Sequence, residues 1–550
     1  MTSTKASPTA LFFFLVLPLA AGILLINLDG WDLWNPDEPR YAQVAREMVE
    51  TGQYIVPHLN GKPYPDKPPL FFWLVAALSK LYGDATTLAA RLPSVIAALG
   101  VLVLTYVLGC RVCDPLTALF ATIILFTTEQ FFTIAISAHL DPLLTLLTTA
   151  ALLLLYGAYQ RFPAGAAYCA AAYACMGLAL LTKGPVGLCV PVISFLLFLI
   201  LKKEWRSIRH LRLGTGLLLA GGILALWLVP ACLLGGEEYR TNILFTQTFG
   251  RAVDSYSHKG PFYYYLLEFP VDFFPWSIFI PSACIYFWKH RSRCAQQMLF
   301  PLAWFLGTFL FFSLISGKRS LYLLPLYSAA ALLMARFWAD IVHNAAEPLP
   351  RLVSIPFKIL CGLLIGFGVG GAILFSLDIE VIRPIHHAAG VFYTVSAFLV
   401  CGGISGFWLL RRMPRSLVAA GHVAGMTACL FVLIVVLVFP AMNSVKSGRF
   451  FCERIKNHVR PHDRLIATFE PELFNYFLHR YPIPVVDEIN AYEYLQQSSE
   501  NLYVLTRGKE PDRLTEKLPH HLHIREQQQI GHRYYFLLTH RPRQSSPTVQ

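Results

Sequence analysis

Two carboxylates, an arginine and a tyrosine crowd into five positions of the segment Trp34-Asn35-Pro36-Asp37-Glu38-Pro39-Arg40-Tyr41. Prolines on both sides fix the local backbone, so these side chains are held in place. Asp37 or Glu38 is therefore a candidate catalytic carboxylate; the competing reading is a helix cap that also solvates an interface. Asp141, in Ser137-Ala138-His139-Leu140-Asp141-Pro142, is a candidate second carboxylate for the same site. Asp followed by Pro is also an ordinary helix start, so capping explains the residue type equally well.

The candidate partners of these acids are cations in turns. Lys67 lies in the stiff stretch Asn60-Gly61-Lys62-Pro63-Tyr64-Pro65-Asp66-Lys67-Pro68-Pro69, which ends where an apolar helix begins. A lysine near a helix N-terminus suits an anion such as a phosphate; alternatively it snorkels to a lipid surface. Lys183 lies in Leu181-Thr182-Lys183-Gly184-Pro185, and Lys318 and Arg319 lie in Ser316-Gly317-Lys318-Arg319-Ser320-Leu321-Tyr322. Arg251, His258 and Lys259 precede Pro261-Phe262-Tyr263-Tyr264-Tyr265. His258 with Asp66 could hold a divalent metal (Zn, Mg or Mn), against the alternative of a hydrogen-bonded interface histidine.

The elements that must position these groups follow from composition. The 550-residue chain is 55% apolar and only 14% charged, against roughly 25% charged for a soluble domain. Disorder, collagen and a disulfide scaffold are excluded, and a multi-spanning membrane protein remains. The net charge of +12 then reads as cations flanking spans rather than as a nucleic-acid footprint. Most of the 12 cysteines sit in apolar runs, and the Cys110/Cys113 pair has no second pair to complete a zinc site.

Thirteen apolar runs are long enough to span: roughly 9–28, 88–109, 115–135, 142–160, 165–182, 185–201, 213–234, 271–288, 298–316, 320–341, 355–376, 391–410 and 416–439. The first reads as an uncleaved anchor. With the N-terminus in the cytoplasm, the clusters from Lys202 to Arg212, from Lys289 to Arg293 and from Arg411 to Arg415 fall on the cytoplasmic side with Arg111, Arg161 and Arg351. The other side receives the long loops 29–87 and 235–270 and everything after 440. Long loops are usually functional, and cations retained on that side against the insertion rule need another reason, which binding an anionic head group supplies. The stretch Tyr41–Thr51 is too short and polar to span and is expected on the membrane surface.

Residues 1–440 are thus expected to form an all-α polytopic domain and 441–550 a small extracytoplasmic α/β domain. Expected strands are Arg464–Phe469, Pro484–Val486, Leu502–Thr506 and Tyr534–Leu538; expected helices are Ser447–His458 and Pro471–His479.

The Asp-Glu-x-Arg-Tyr loop after the first span resembles that of the C-type, lipid-dependent glycosyltransferases. The elements Tyr64/Asp66/Lys67, His139/Asp141, Thr182–Pro185, His258–Phe262 and Lys318/Tyr322/Pro325 are similar, in order, to the branch that transfers aminoarabinose to lipid A, which is related to protein O-mannosyltransferases. The resemblance covers roughly residues 10–340. It implies an inner-membrane enzyme that moves a sugar from undecaprenyl phosphate to lipid A or a similar extracytoplasmic acceptor. It implies Asp37 and Asp141 as essential carboxylates, with Glu38 beside them. Donor phosphate and sugar would be bound by Arg40, Tyr64, Lys67, Lys183, Lys318, Arg319 and Tyr322, and a metal by Asp66 and His258. That carboxylate is usually Glu in the branch and is Asp here, a shorter arm. Two other readings stay open: the same fold glycosylating a protein, and a transporter or flippase. A transporter should carry polar or broken mid-span features in two related halves; the sequence gathers its polar residues at one face and shows no half-repeat.

Overall fold

The computed structural model describes residues 7–245, 260–343, 350–377, 379, 383–497, 502–508 and 523–539. Among the described residues ten helices are long and apolar enough to cross a membrane, or twelve if each of two sharply bent pairs counts as one span. The expected span 185–201 is a helix of 16 residues, Val186–Leu201. At about 1.5 Å per residue it is some 24 Å long, short of the roughly 30 Å hydrocarbon core.

The bends have local causes. Asp114 caps the helix Pro115–Phe126 by accepting from the Leu116 and Thr117 amides. At its other end the Thr127 and Thr128 hydroxyls donate back to the carbonyls of Ile123 and Ile124, which competes with the helix ladder. Helix Glu129–Ala135 then leaves at 67°. The second pair, Tyr264–Asp272 and Trp276–Lys289, is bent by 109° at Phe273-Phe274-Pro275. The two bends lock together: the Glu129 amide donates to the Phe274 carbonyl at 3.1 Å and the Trp276 indole to Thr127 Oγ1 at 2.9 Å. Glu129 and Asp272 flank these breaks inside the bundle. Polar residues are therefore not confined to one face, as the sequence suggested.

Helix Asp37–Thr51 does not lie on a lipid surface. Asp37 through Met48 is buried with the sole exception of Arg40, because helix Leu70–Tyr82 packs on one side and helix Glu472–Leu478 on another. Its polar residues are satisfied internally. Arg46 pairs with Asp84 at 2.9 Å and donates to the Tyr476 carbonyl at 2.8 Å, and Glu47 accepts from the Asn60 and Gly61 amides. Gly52, at φ 71°, ends the helix in the left-handed conformation that suits glycine.

After the helix ending at Lys446 comes an α/β domain. Its four-stranded sheet runs in the order Arg464–Ala467, Leu502–Gly508, Arg533–Thr539, His523–Ile530, with the first pair parallel and the others antiparallel. Helices Arg449–His458, Glu472–Leu478 and Glu488–Gln497 flank it. The expected strand Pro484–Val486 contributes only an isolated bridge, Val485 to Ala467, since Pro482 and Pro484 lack the amide donors a strand needs. The unforeseen strand His523–Ile530 is an edge strand, half-exposed along most of its length, so its polar residues carry no apolar alternation to read. The domain is pinned to the bundle by Asn60, whose side chain donates to the Ile483 carbonyl and accepts from Asn475 and the Ile483 amide.

Candidate active site

Between bundle and C-terminal domain lies a cavity of about 1180 Å³. Its apolar part is made by Val186 and Cys189 of one helix, Phe311, Phe312 and Ile315 at the end of another, and Ile243. Its polar part holds Asp37, Arg40, Asp66, Lys67, Lys183, Arg319 and Tyr322 from the bundle and its loops. Lys446, Phe469, Glu470, Glu472, Arg507, Arg533 and Tyr535 complete it from the chain beyond 440.

Asp37 opens its helix at the cavity wall. Arg319 Nη2 donates to its Oδ2 at 2.7 Å, and Arg40 lies 3.6 Å from its Oδ1. Burial disfavours the charged form, but His139, Arg319 and Arg40 outweigh it and hold the carboxyl down at about 2. Arg40 reaches on to Glu472 at 2.8 Å, linking the bundle to the C-terminal domain. Burial pushes the Glu472 carboxyl up in spite of that arginine. Lys183, the last residue of its helix, pairs with Asp141 and sits 4.3 Å over the Tyr322 ring. Asp141 does not cap its helix with its side chain; its carboxylate is spent on Lys183.

Among the described residues, four expected site residues do not line the cavity: Asp141, which stands behind Lys183, and Glu38, Lys318 and Tyr64. Glu38, next to Asp37, does not line the cavity. It accepts from Arg91 Nε at 2.8 Å and Nη2 at 3.0 Å, and from the Trp34 and Ala138 amides at 2.9 Å. Arg91 is wholly buried and also donates to the carbonyls of Leu28, Trp31 and Asp32. Burial opposes the Glu38 charge, yet Arg91 and the two amides hold its carboxyl below the usual range. Glu38 ties together the segments that carry Asp37 and Asp141, and the catalytic expectation for it is corrected to a structural one. Lys318 turns away: its ammonium donates to the carbonyls of Phe312 at 2.8 Å and Ser313 at 2.6 Å, satisfying the end of the helix Arg291–Leu314. Tyr64 is buried against Phe72. There desolvation, with the Asp66 charge, raises its phenol far above normal.

Asp66 lines the cavity, whereas His258, like Arg251 and Lys259, lies outside the described residues. Among the described residues no three His, Cys, Asp or Glu side chains gather as a metal site; of the expected pair only Asp66 falls among them. The residues not foreseen are Lys446, Phe469, Glu472, Arg507, Arg533 and Tyr535. Arg507 had a readable signal, a cation ending an apolar strand. Arg91, alone in an apolar span, also signalled a need for a partner. Nothing in the sequence singles out Glu472.

Residues 9–239 match the family described as dolichyl-phosphate-mannose-protein mannosyltransferase. The fold is that of ArnT from Cupriavidus metallidurans, solved bound to undecaprenyl phosphate. The TM-score is 0.78 at 19% identity, over 96% of this chain and 98% of that one. Fold and cavity thus define a polytopic membrane protein of the C-type glycosyltransferase architecture. Two similar relatives are undecaprenyl phosphate-alpha-4-amino-4-deoxy-L-arabinose arabinosyl transferases. That of Aeromonas hydrophila is 33% identical over 63% of this chain and 62% of its own length; that of Pectobacterium atrosepticum is 31% identical over 70% and 68%. The chain belongs to this arabinosyl transferase family. Its match spans somewhat less than two thirds of the length of the Aeromonas relative.

Proposed function

We propose that the protein transfers 4-amino-4-deoxy-L-arabinose from undecaprenyl phosphate to lipid A or a similar glycolipid, at the extracytoplasmic face of a bacterial inner membrane. The observation that carries this reading is the cavity's division. An apolar end between Val186 and Phe312 suits a polyprenyl chain, and a cation-rich end suits its phosphate. The orientation rests on the basic clusters of the connections, which fall opposite the cavity-forming loops.

In the reaction an acceptor phosphate oxygen attacks C1 of the sugar, the C1–O bond to the carrier phosphate breaks, and its electron pair stays on that phosphate. Positive charge builds on the sugar ring and negative charge on the leaving group. Lys67, Lys183 and Arg319 face the leaving phosphate and stabilise it; one well-placed donor is worth about 3–4 kcal/mol in other enzymes. Asp37, ionised at any physiological pH, faces the positive ring or the sugar's ammonium. A carboxyl held at about 2 is a poor base for a Ser or Thr hydroxyl, whereas an ionised phosphate acceptor needs none. This favours a glycolipid acceptor over protein glycosylation. A divalent ion, if held by Asp66, would add Lewis-acid stabilisation of the phosphate; no step above requires it.

The test is transfer in vitro, with purified protein, undecaprenyl-phosphate aminoarabinose and lipid A, read by mass spectrometry. A mass increase on lipid A is expected with wild-type protein and not with Asp37→Asn. Sugar appearing on protein instead, or no dependence on Asp37, would overturn the reading.

A further inference from the structure

The cavity is lined by seven Lys or Arg side chains against four carboxylates. The excess is unevenly spread. Arg40 is paired with Glu472, Arg319 with Asp37, and Lys183 with Asp141, and Asp66 and Lys67 have partners as well. For Lys446, Arg507 and Arg533 no carboxylate lies within ion-pair distance among the described residues. Two of them rest on aromatic faces instead: Lys446 at 4.6 Å from the Trp34 ring and Arg507 at 4.9 Å from the Phe469 ring. Such contacts orient a cation without neutralising it. The strand register brings the two arginines together. Arg507 is opposite Tyr535, and Arg533 is two residues before Tyr535 on the same strand. The arginines are therefore diagonal neighbours on one face of the sheet, about 7–8 Å apart at the backbone.

We propose that Lys446, Arg507 and Arg533 form the subsite for the phosphate of the acceptor glycolipid. The inference rests on the transfer reading above and deepens it. The donor's phosphate must sit where the apolar groove meets the polar wall, beside Lys183, Arg319 and Tyr322. A reaction whose nucleophile is a second phosphate brings two anions into one cavity, and they repel unless further cations receive the second. Among the described residues Lys446, Arg507 and Arg533 are the cavity cations without an ion pair; Glu470 on the same wall offsets one of them, which leaves an excess of two positive charges on the side formed by the chain beyond residue 440.

The experiment uses the full-length protein in nanodiscs. Undecaprenyl phosphate binding is measured directly, and initial transfer rates are measured over a range of lipid A concentrations. Arg507→Gln/Arg533→Gln should raise the KM for lipid A at least about tenfold, while undecaprenyl phosphate affinity stays within twofold. Lys446→Gln should act in the same direction, and Arg507→Lys should recover part of the loss, which a merely structural arginine would not grade by charge. A drop in undecaprenyl phosphate affinity with lipid A KM unchanged would assign these cations to the donor and overturn the proposal, as would unchanged values for both. Should the double variant misfold, Lys446→Gln and Arg507→Lys decide alone. If wild-type protein moved no sugar to lipid A at all, the transfer reading itself would fail, a result distinct from any variant effect.

Discussion

On the bundle side of the cavity Arg40, Arg319 and Lys183 each touch a carboxylate, whereas Lys446, Arg507 and Arg533 across from them have none among the described residues. The paired side is set before any ligand arrives, because each charge already fixes its neighbour's position. The unpaired side keeps its charge available. The same contrast recurs between Asp37 and Glu38. One faces the cavity beside Arg319 and shares Arg40 with Glu472; the other is closed on all sides by Arg91 and two amides.

The contrast between the adjacent acids is open to the largest test. Glu38→Ala strands a buried guanidinium, and breaking such a pair costs about 3–5 kcal/mol. Thermal unfolding should show a large fall in Tm and poor yield; a variant as stable as wild type would dissolve the distinction. Asp37→Asn, by comparison, should retain a folded protein and lose at least about 100-fold in transfer rate, or some 2.7 kcal/mol of transition-state stabilisation. Retained turnover would remove Asp37 from the reaction.

The paired wall is sharpened by two lysines. Lys183→Ala should weaken undecaprenyl phosphate binding about tenfold, since Lys183 faces the cavity. Lys318→Ala should leave that affinity alone and lower stability by about 1 kcal/mol, the worth of hydrogen bonds to helix-end carbonyls. Equal effects on binding would mean that Lys318 reaches the donor after all.

The smallest effect concerns pH. The folded Asp37 carboxyl lies at about 2, below its ordinary 3.8. Its contribution of about 2 kcal/mol is thus complete above roughly pH 4 and is lost as pH falls through about 2. The Tm gap between wild type and Asp37→Asn should stay constant from pH 8 to pH 5; narrowing within that window would show a carboxyl far less depressed.

Much of the architecture is legible along the chain because membrane insertion is a local property: a run of apolar residues and its flanking cations need no partner to be recognised. Asp37 and Lys67 are likewise readable as charged groups in a long loop, and Lys183, Arg319 and Tyr322 as charged or polar groups in short turns; all line the cavity. Glu38, Asp141, Tyr64 and Lys318 do not line the cavity, for one shared reason. Residue type and turn location do not say which way a side chain points: Glu38 turns to Arg91, Asp141 to Lys183, Tyr64 into packing and Lys318 to helix-end carbonyls. The strand His523–Ile530 was invisible because an edge strand needs no apolar alternation.

The sequence by itself determined a multi-spanning protein with chemistry gathered in its long loops, since hydropathy and charge distribution act residue by residue. Only the tertiary structure decided that helix Asp37–Thr51 is enclosed rather than surface-bound, that Glu38 and Asp37 part ways, and that the chain beyond 440 supplies one wall of the cavity. Those outcomes depend on pairings such as Arg40–Glu472 and Asn60–Asn475, between residues more than 400 positions apart. No local pattern encodes such a contact; it exists only because burial leaves each polar group a single satisfactory partner.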